Sequence, residues 1–307
     1  MTDTNEIDES KFDYTYVPEH LKERVKNCRE LSVAERMTLV SELSLAAWEK
    51  LGVVYDPNKP RNKTIRRVKP DESVLRLSPD KVERIIGFLG YGNVSAKTWF
   101  IGLEEGLGKM TTDDTFLNLC SRGDFNEVMD LSDAHRRLLE NGRPIEIEKK
   151  PPSTQVWRWM ARIMLASSGN EDWRDPIAAK NYVRLVLGRT NGETFLTELS
   201  PIPSKTAADR PLLRWLAEMT PTLEDKLAKR RKHLRELMSM SPASMVVCYG
   251  LGRAADFAEF LEIDWEPVNE KIRRSHDGRC WLLPFFGLGR MSNSVVEELQ
   301  GYWSSER

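Results

Sequence analysis

The chemistry that stands out first in this sequence is a pair of adjacent carboxylates at the end of an apolar segment. The stretch "KTWFIGLEEGLGKM" (97–110) begins with branched and aromatic residues and then reaches Glu104 and Glu105 between Gly102 and Gly106. A carboxylate at a strand tip can activate water, bind a metal through water ligands, cap a helix or pair with a lysine. Glycines on both sides favour a ligand-binding role, because they let a ligand approach the backbone closely.

Three further apolar runs also end in polar or glycine-rich residues. These ends read "ELSPIP" (198–203), "YGLGR" (249–253) and "FGLGR" (286–290). In open parallel sheets, ligands bind at the carboxyl ends of the strands. We therefore expect carboxylates, glycines and arginines to meet at one edge of a sheet.

The elements that position these ends follow from periodicity and end signals. Strands are predicted at 98–103, 194–199, 244–250 and 280–286, and helices at 78–90, 154–166, 176–187, 207–219, 222–239, 253–262 and 293–303. Short apolar runs separated by helices predict an α/β fold: a three-layer αβα domain with a central four-stranded parallel sheet. It is expected to span 76–307, after an N-terminal helical extension and linker at 1–75.

The extension contains one well-marked helix. Residues 31–52 have an apolar face, and Ser32 and Glu35 have the spacing of a capping box. The stretch 55–72 is rich in proline and lysine and is predicted to be a linker or an exposed loop.

Composition excludes several classes of protein. The 307 residues are 40% hydrophobic and 30% charged, and no apolar run reaches the roughly 18 residues of a membrane span. The acidic N-terminus lacks the features of a signal peptide, so a cytoplasmic monomer with no membrane partner is expected. Cys248 and Cys280 lie in apolar runs and predict buried free thiols, and with four histidines a metal site is not expected.

Three basic islands interrupt a chain of formal net charge −1. They cover 61–69, 226–235 and 271–279. They fit either a polyanionic partner or ordinary solvated faces, and charge alone does not decide between the two. Within the second island, Arg230 falls in the apolar stripe of helix 222–239. It is expected to pair with a buried carboxylate or to reach the end of the sheet.

The order of these strand ends resembles the uracil-DNA glycosylase superfamily over roughly residues 80–307. The resemblance lies in the G-L-E-E-G strand end, the E-L-S-P strand end, the G-L-G-R-A helix start and the final G-R-M-S. It implies that Glu104 positions or activates the attacking water, while Glu105 replaces a proline. It also implies that Glu198 reads the flipped base and that Phe116 stacks on it.

Two departures from the family pattern matter. Glu198 stands where family members have Asn or Lys, and an ionised Glu only accepts hydrogen bonds, which suits an exocyclic amine. Phe286 stands where the family usually has the histidine that stabilises the departing base. Three alternatives follow: Arg290 or another cation replaces the histidine, the protein relies more on protonating its base, or the protein binds without catalysis. Leu288 and Met291 are the candidate wedges into the base stack.

The sequence thus predicts a monofunctional DNA glycosylase that needs no metal or cofactor and leaves an abasic site. Its expected substrate carries a damaged or modified amino base rather than uracil, with a hypermodified cytosine of phage DNA, and hence antiviral defence, as one case. The predicted pocket consists of Gly102, Leu103, Glu105, Gly106, Phe116, Glu198, Ser200, Pro201 and Phe286 around the catalytic Glu104. The predicted DNA contacts are Arg290, Leu288, Met291, Lys205, Lys229 and Lys232.

Two rival functions remain open on the sequence. One is a catalytically silent nucleic-acid-binding or sensor protein on the same fold, which the missing histidine favours. The other is an unrelated nucleotide-binding α/β enzyme, suggested by the glycine turn in "GYGLGRAADF" (249–258), where phosphate could meet a helix start.

Overall fold

The computed structural model describes residues 19–27, 30–32, 35, 38–39, 42–43, 77–106, 112–140, 143–149, 154–204 and 210–305. The chain forms two units, Met1–Asp71 and Glu72–Arg307. The first contains helix α1 (Glu19–Lys26) and the predicted capping box, in which the Ser32 N–H donates to Glu35 (2.7 Å) and the Glu35 N–H donates to Ser32 Oγ (3.3 Å). Most of the predicted helix 31–52 and all of the predicted linker 55–72 lie outside the described residues.

The second unit is built on an eight-stranded mixed sheet, with a separate two-stranded ribbon. The sheet consists of β1 (Gly90–Gly92), β2 (Thr98–Gly106), β3 (Val128–Met129), β6 (Thr194–Ser204), β7 (Met245–Tyr249), β8 (Glu266–Pro267), β9 (Arg273–Arg274) and β10 (Cys280–Leu283). The ribbon pairs β4 (Leu139–Glu140) with β5 (Arg143–Pro144). The order across the sheet is β3-β1-β6-β2-β7-β10-β9-β8.

The prediction of a four-stranded parallel sheet is therefore wrong, although the α/β class is confirmed. The four predicted strands form the parallel centre of the sheet, β6-β2-β7-β10. On one side β1 runs antiparallel to β6, and on the other β9 runs antiparallel to β10. The four outer strands have only two or three residues each, so they show no periodicity from which to predict them.

Ten α-helices are found in the described part of the chain. In the second unit they are α2 (Pro79–Gly87), α3 (Thr112–Arg122), α4 (Leu131–Arg136), α5 (Gln155–Ser167), α6 (Pro176–Leu185), α7 (Pro211–Met219), α8 (Leu223–Met240), α9 (Ala254–Leu261) and α10 (Asn293–Ser305). Local sequence explains two starts: Ser78 accepts a hydrogen bond from the Lys81 N–H before α2, and Asp175 accepts two before α6. Helices α3 and α4 were not predicted.

Alternate residues of the central strands face two different apolar layers. Phe100, Val247 and Leu283 pack on the side that includes side chains from α5, α6 and α10. Trp99 and Ile101 face the other side, with side chains from α8 and α9. Helices thus cover both faces of the sheet, which leaves the carboxyl ends of the strands as the place for a site.

The cysteine prediction is confirmed for two thiols. Cys248 and Cys280 are free and buried, and burial raises the pKa of Cys280 to about 11. No helix among the described residues has the length and apolar character to cross a bilayer.

Candidate functional site

The site begins where β2 and β6 end side by side. In their parallel register Gly102 lies beside Glu198, and Glu104 lies beside Ser200. The pairing becomes irregular between Glu104 and Gly106. Side chains of a regular strand alternate between the two faces, and a local irregularity changes that alternation.

Glu104 pairs with an arginine, Arg210, that lines an arginine-rich cleft. One of its carboxylate oxygens is 2.7 Å from Arg210 Nη2, and its side chain is only 9% exposed. The cleft has a volume of about 220 Å³ and is lined by Leu103, Leu199, Ser200, Arg210, Arg231, Arg235, Arg253, Asp256, Glu259 and Phe260. A carboxylate held beside clustered cations is a chemically useful pair, because the acid can orient water while the cations bind an anionic ligand.

Glu105 points into a different environment. Its Oε2 accepts hydrogen bonds from the Tyr91 hydroxyl (3.1 Å) and from Arg122 Nη2 (2.5 Å). Arg122 is buried against the rings of Phe88 and Phe125. Burial alone would raise the pKa of Glu105, but the charge of Arg122 and these two hydrogen bonds lower it below the ordinary value. This carboxylate is therefore a fixed member of an ion pair in the core.

The Glu198 side chain extends from β6 across Gly102 of β2 to β7, the strand on the other side of β2. The Tyr249 hydroxyl donates to Glu198 Oε1 over 2.7 Å. Oε2 is buried and has no hydrogen-bond partner among the described residues. A Cβ at Gly102 would lie 1.9 Å from this Oε2 and 2.3 Å from the Tyr249 hydroxyl, so only glycine leaves room for the carboxyl group.

The surroundings of Glu198 keep its carboxyl group neutral near pH 7. Burial is the main cause that raises its pKa to about 8, and the charges of Glu105 and Glu104 raise it further against the hydrogen bond from Tyr249. A raised pKa of about 8 favours the protonated form of Glu198 near neutral pH, in contrast to the expectation that Glu198 is ionised and only accepts hydrogen bonds. A neutral carboxyl group offers one donor as well as acceptors, as an amide does.

Phe286, which the family resemblance puts at the histidine position, packs beside Tyr249. The ring of Phe286 is buried and stacks on Tyr249, with centroids 4.7 Å apart and planes 14° apart. Tyr249 is held at the end of β7, and burial raises its pKa well above the ordinary value. Among the described residues, Glu198 thus has a hydrogen bond from one aromatic residue, Tyr249, and none from a histidine.

Arg230 supports the strand ends from α8. Its guanidinium donates four hydrogen bonds to main-chain oxygens, those of Phe88 (2.7 Å), Leu89 (3.2 Å), Glu198 (2.9 Å) and Leu199 (3.2 Å). Arg230 therefore reaches the end of the sheet, which was one of its two predicted roles. Burial lowers its pKa to about 9, and the charge of Glu198 opposes that shift.

Several predicted site residues lie apart from Glu198. Phe116 packs edge-to-face on Trp215, with centroids 5.6 Å apart, inside a separate apolar cluster that includes Ile202 and Leu216. Met291 is 5% exposed and belongs to the main core, so the prediction that it acts as a wedge is wrong. Pro201 is buried, and the Ser200 hydroxyl interacts with the main chain of Ile202.

The remaining predicted positions are at the surface. Leu288 is 83% exposed and adopts a left-handed φ of 56°, and Arg290 beside it is exposed. Gly106, Lys229 and Lys232 are also exposed. Lys205 lies outside the described residues.

Sequence reasoning did not identify several members of the site. Tyr249 ends a predicted strand, and its position there was the available signal. Arg122 and Tyr91 gave none, because they come from an unpredicted helix and an unpredicted strand. The arginines of the cleft come from three separate segments, which only the folded chain brings together. Comparison of the chain with family models, with curated proteins and with solved structures gives no match.

Proposed function

We propose that this protein hydrolyses the N-glycosidic bond of a nucleotide in DNA. The observation that carries the proposal is the Glu198 carboxyl group, a buried acid of raised pKa toward the carboxyl end of the parallel strands, with one oxygen that has no partner among the described residues. Leaving a buried polar atom without a partner costs folding free energy. A carboxyl group that has such a free-energy cost and lies toward the carboxyl ends of the strands is a good candidate to bind a ligand.

The two carboxyl groups have the complementary states that glycosidic hydrolysis requires. Glu198 is neutral near pH 7 and can donate a proton to the departing base. Glu104 is ion-paired with Arg210, which fits a carboxylate that orients water and takes up its proton as the water attacks C1′. The proton lost by Glu198 and the proton gained by Glu104 balance, and exchange with solvent restores both groups.

This assignment gives Glu198 the task of the absent histidine. Phe286, at the position that the family resemblance assigns to the histidine, is an apolar ring in the core and cannot stabilise charge on the leaving base. A neutral acid at Glu198 stabilises that charge by protonation instead. Because its donor can meet a carbonyl oxygen or a ring nitrogen, the substrate is not restricted to amino bases, in contrast to the inference from an ionised glutamate.

The exposed loop after β10 suits contact with DNA. Leu288 presents an apolar side chain to solvent beside the exposed Arg290. An apolar wedge next to a phosphate-binding cation is the arrangement by which a protein separates stacked bases. We assign Leu288 to this role and leave Met291 out of it.

The test is an excision assay on duplex and single-stranded DNA that contain a panel of normal, deaminated, alkylated and hypermodified bases. Release of a free base together with an alkali-labile site is the expected result for at least one member. Glu104→Gln should reduce that rate about 10²–10⁴-fold while circular dichroism and DNA affinity stay unchanged. DNA binding without excision across the whole panel would replace this proposal with the silent-binder function.

A further inference from the structure

The arginine-rich cleft beside Glu104 has features that water activation does not require. Its lining takes two arginines from α8, Arg231 and Arg235, one from the turn before α9, Arg253, and one from the segment before α7, Arg210. Leu103, Leu199 and Phe260 form apolar parts of its wall. Two carboxylates, Asp256 and Glu259, also line the volume of about 220 Å³, so the four guanidinium groups give the recess an excess of positive charge.

The hydrogen bonds of these arginines leave donors free. Arg253 forms a bidentate pair with Asp256, with both distances 2.7 Å. Arg235 lies 3.2 Å from Glu262 and donates to the Phe260 carbonyl. Arg231 has no ion pair and no side-chain hydrogen bond with any described residue, although it lines the cleft.

Arg210 contributes a further unused donor. One of its Nη atoms lies 2.7 Å from Glu104 Oε2. Neither that oxygen nor the buried Arg210 Nε has a hydrogen-bond partner of good geometry among the described residues. A buried N–H without a partner costs free energy, and an entering anion would remove that cost. Arg231, which has no partner among the described residues, and Arg210 therefore bring guanidinium groups from two different segments to the same recess.

We propose that this cleft binds a phosphate monoester. A terminal phosphate carries about −1.5 to −2 charges at pH 7 and three acceptor oxygens, which matches several converging guanidinium groups better than a phosphodiester with a single charge. The apolar wall suits the less polar part of the group to which the phosphate is attached. A mononucleotide and the 5′ end of a nucleic acid strand both supply this chemistry.

The inference goes beyond the proposed hydrolysis and does not depend on it. Among the described residues, its main residue, Arg231, shares no hydrogen bond or ion pair with Glu198, which lies against Gly102 and Tyr249. A protein that excises no base could still bind phosphate here, and an excising protein could lack this affinity. The two proposals therefore fail separately.

The experiment measures binding to the full chain by titration calorimetry at low ionic strength. The probes are inorganic phosphate, thymidine 5′-monophosphate, thymidine, and one oligonucleotide with and without a 5′-phosphate. Saturable binding of the first two, with none of thymidine, is the expected result. Preference for the 5′-phosphorylated oligonucleotide over thymidine 5′-monophosphate would identify a strand end as the source, and the reverse order would identify a free mononucleotide.

Arg231→Gln should weaken binding of thymidine 5′-monophosphate about 10- to 100-fold, because it removes charge-assisted hydrogen bonds. The variant breaks no ion pair among the described residues, so it should unfold at the same temperature as the unchanged protein. Lys180→Gln removes one charge from the exposed face of α6 and should leave affinity unchanged. Absence of saturable phosphate binding, or an Arg231→Gln variant of unchanged affinity for thymidine 5′-monophosphate, would each overturn the proposal.

Discussion

At the residue scale, the two neighbouring glutamates at the end of β2 have different surroundings and therefore different expected effects. Glu104 meets Arg210 at the cleft, whereas Glu105 meets Arg122 and Tyr91 in the core. The same chemical change at adjacent positions should thus alter two separate properties. Glu104 should control the rate of excision, and Glu105 should control the free energy of unfolding.

We expect Glu105→Gln to lower the free energy of unfolding by about 3 kcal/mol, because it leaves the buried Arg122 guanidinium without its counter-charge. Urea denaturation at pH 7 measures this change. Glu297→Gln is the matched control: its ion pair with Arg174 is about half exposed and should contribute less than about 1 kcal/mol. An equal effect of the two variants would show that the Arg122 pair does not stabilise the core.

The raised pKa of Glu198 gives a prediction for activity. If Glu198 is the general acid, kcat/KM for excision should fall about tenfold per pH unit above its pKa of about 8, because the proton donor is then lost. Glu198→Gln should excise slowly, with that dependence on pH removed. A wild-type rate that stays level up to pH 10 would contradict the acid role.

The same group links stability to pH. Its pKa is about 8 in the folded protein against an ordinary value of 4.5, so the folded state binds the proton more tightly than the unfolded state does. The associated stability is fully present below pH 4.5 and is lost as the pH rises toward 8 and beyond. Glu198→Gln should therefore gain about 2–4 kcal/mol relative to wild type between pH 5 and pH 9, measured by urea unfolding at both values.

Two substitutions at Leu288 distinguish the proposed wedge role of its side chain from the strain of its backbone conformation. A non-glycine residue at φ 56° is disfavoured by roughly 1 kcal/mol, and here it also exposes a large apolar side chain. Leu288→Ala and Leu288→Gly should both reduce excision from duplex DNA, since each removes the wedge. Only Leu288→Gly should raise the free energy of unfolding, by about 1 kcal/mol, and full excision by both variants would exclude the wedge.

At the scale of elements, one side chain of α8 holds the middle of β6 and the segment before β1 together. Arg230 donates to four main-chain oxygens that would otherwise lack these bonds in a buried region. We expect Arg230→Met to cost about 3–5 kcal/mol in urea denaturation, because the oxygens lose their donors. The neighbouring Arg231→Met should change stability by less than about 0.5 kcal/mol, and similar losses in both variants would rule out the support role.

The central elements could be predicted because their signals are local. Strands β2, β6, β7 and β10 are apolar runs bounded by turn residues, and most helices carry a cap or a periodic face. The outer strands could not be predicted, because "GYG", "EP" and "RR" acquire strand geometry only by pairing with a formed neighbour. Helix α3 lies just beyond the glycine-rich segment and has a mixed sequence that gave no clear periodicity.

The site was predictable in its residue types and not in their states. Glu104, Glu105 and Glu198 are visible as carboxylates at strand ends, but the neutrality of Glu198 results from burial over Gly102 and the charges of the other two. Sequence spacing says nothing about such through-space effects. For the same reason, the position of Phe116 beside Trp215 followed from tertiary packing of α3 and α7, which the motif spacing did not indicate.

At the scale of the whole molecule, the proposed binding of DNA gives a prediction for the basic face of α8. Lys229 and Lys232 are exposed on this helix, on which Arg231 and Arg235 line the cleft. Neutralising phosphates releases counterions, so the logarithm of the affinity should fall linearly with the logarithm of the salt concentration. The double substitution Lys229→Glu and Lys232→Glu should weaken the affinity for all DNA sequences alike and reduce that slope by about two, measured by fluorescence anisotropy between 50 and 200 mM salt.

Lys180→Glu, on the exposed face of α6, is the control for charge reversal alone and should leave the slope unchanged. Because phosphate contacts position DNA without reading its sequence, a loss confined to one sequence would assign these lysines to base recognition, and affinity that does not vary with salt would exclude an electrostatic interface on this face.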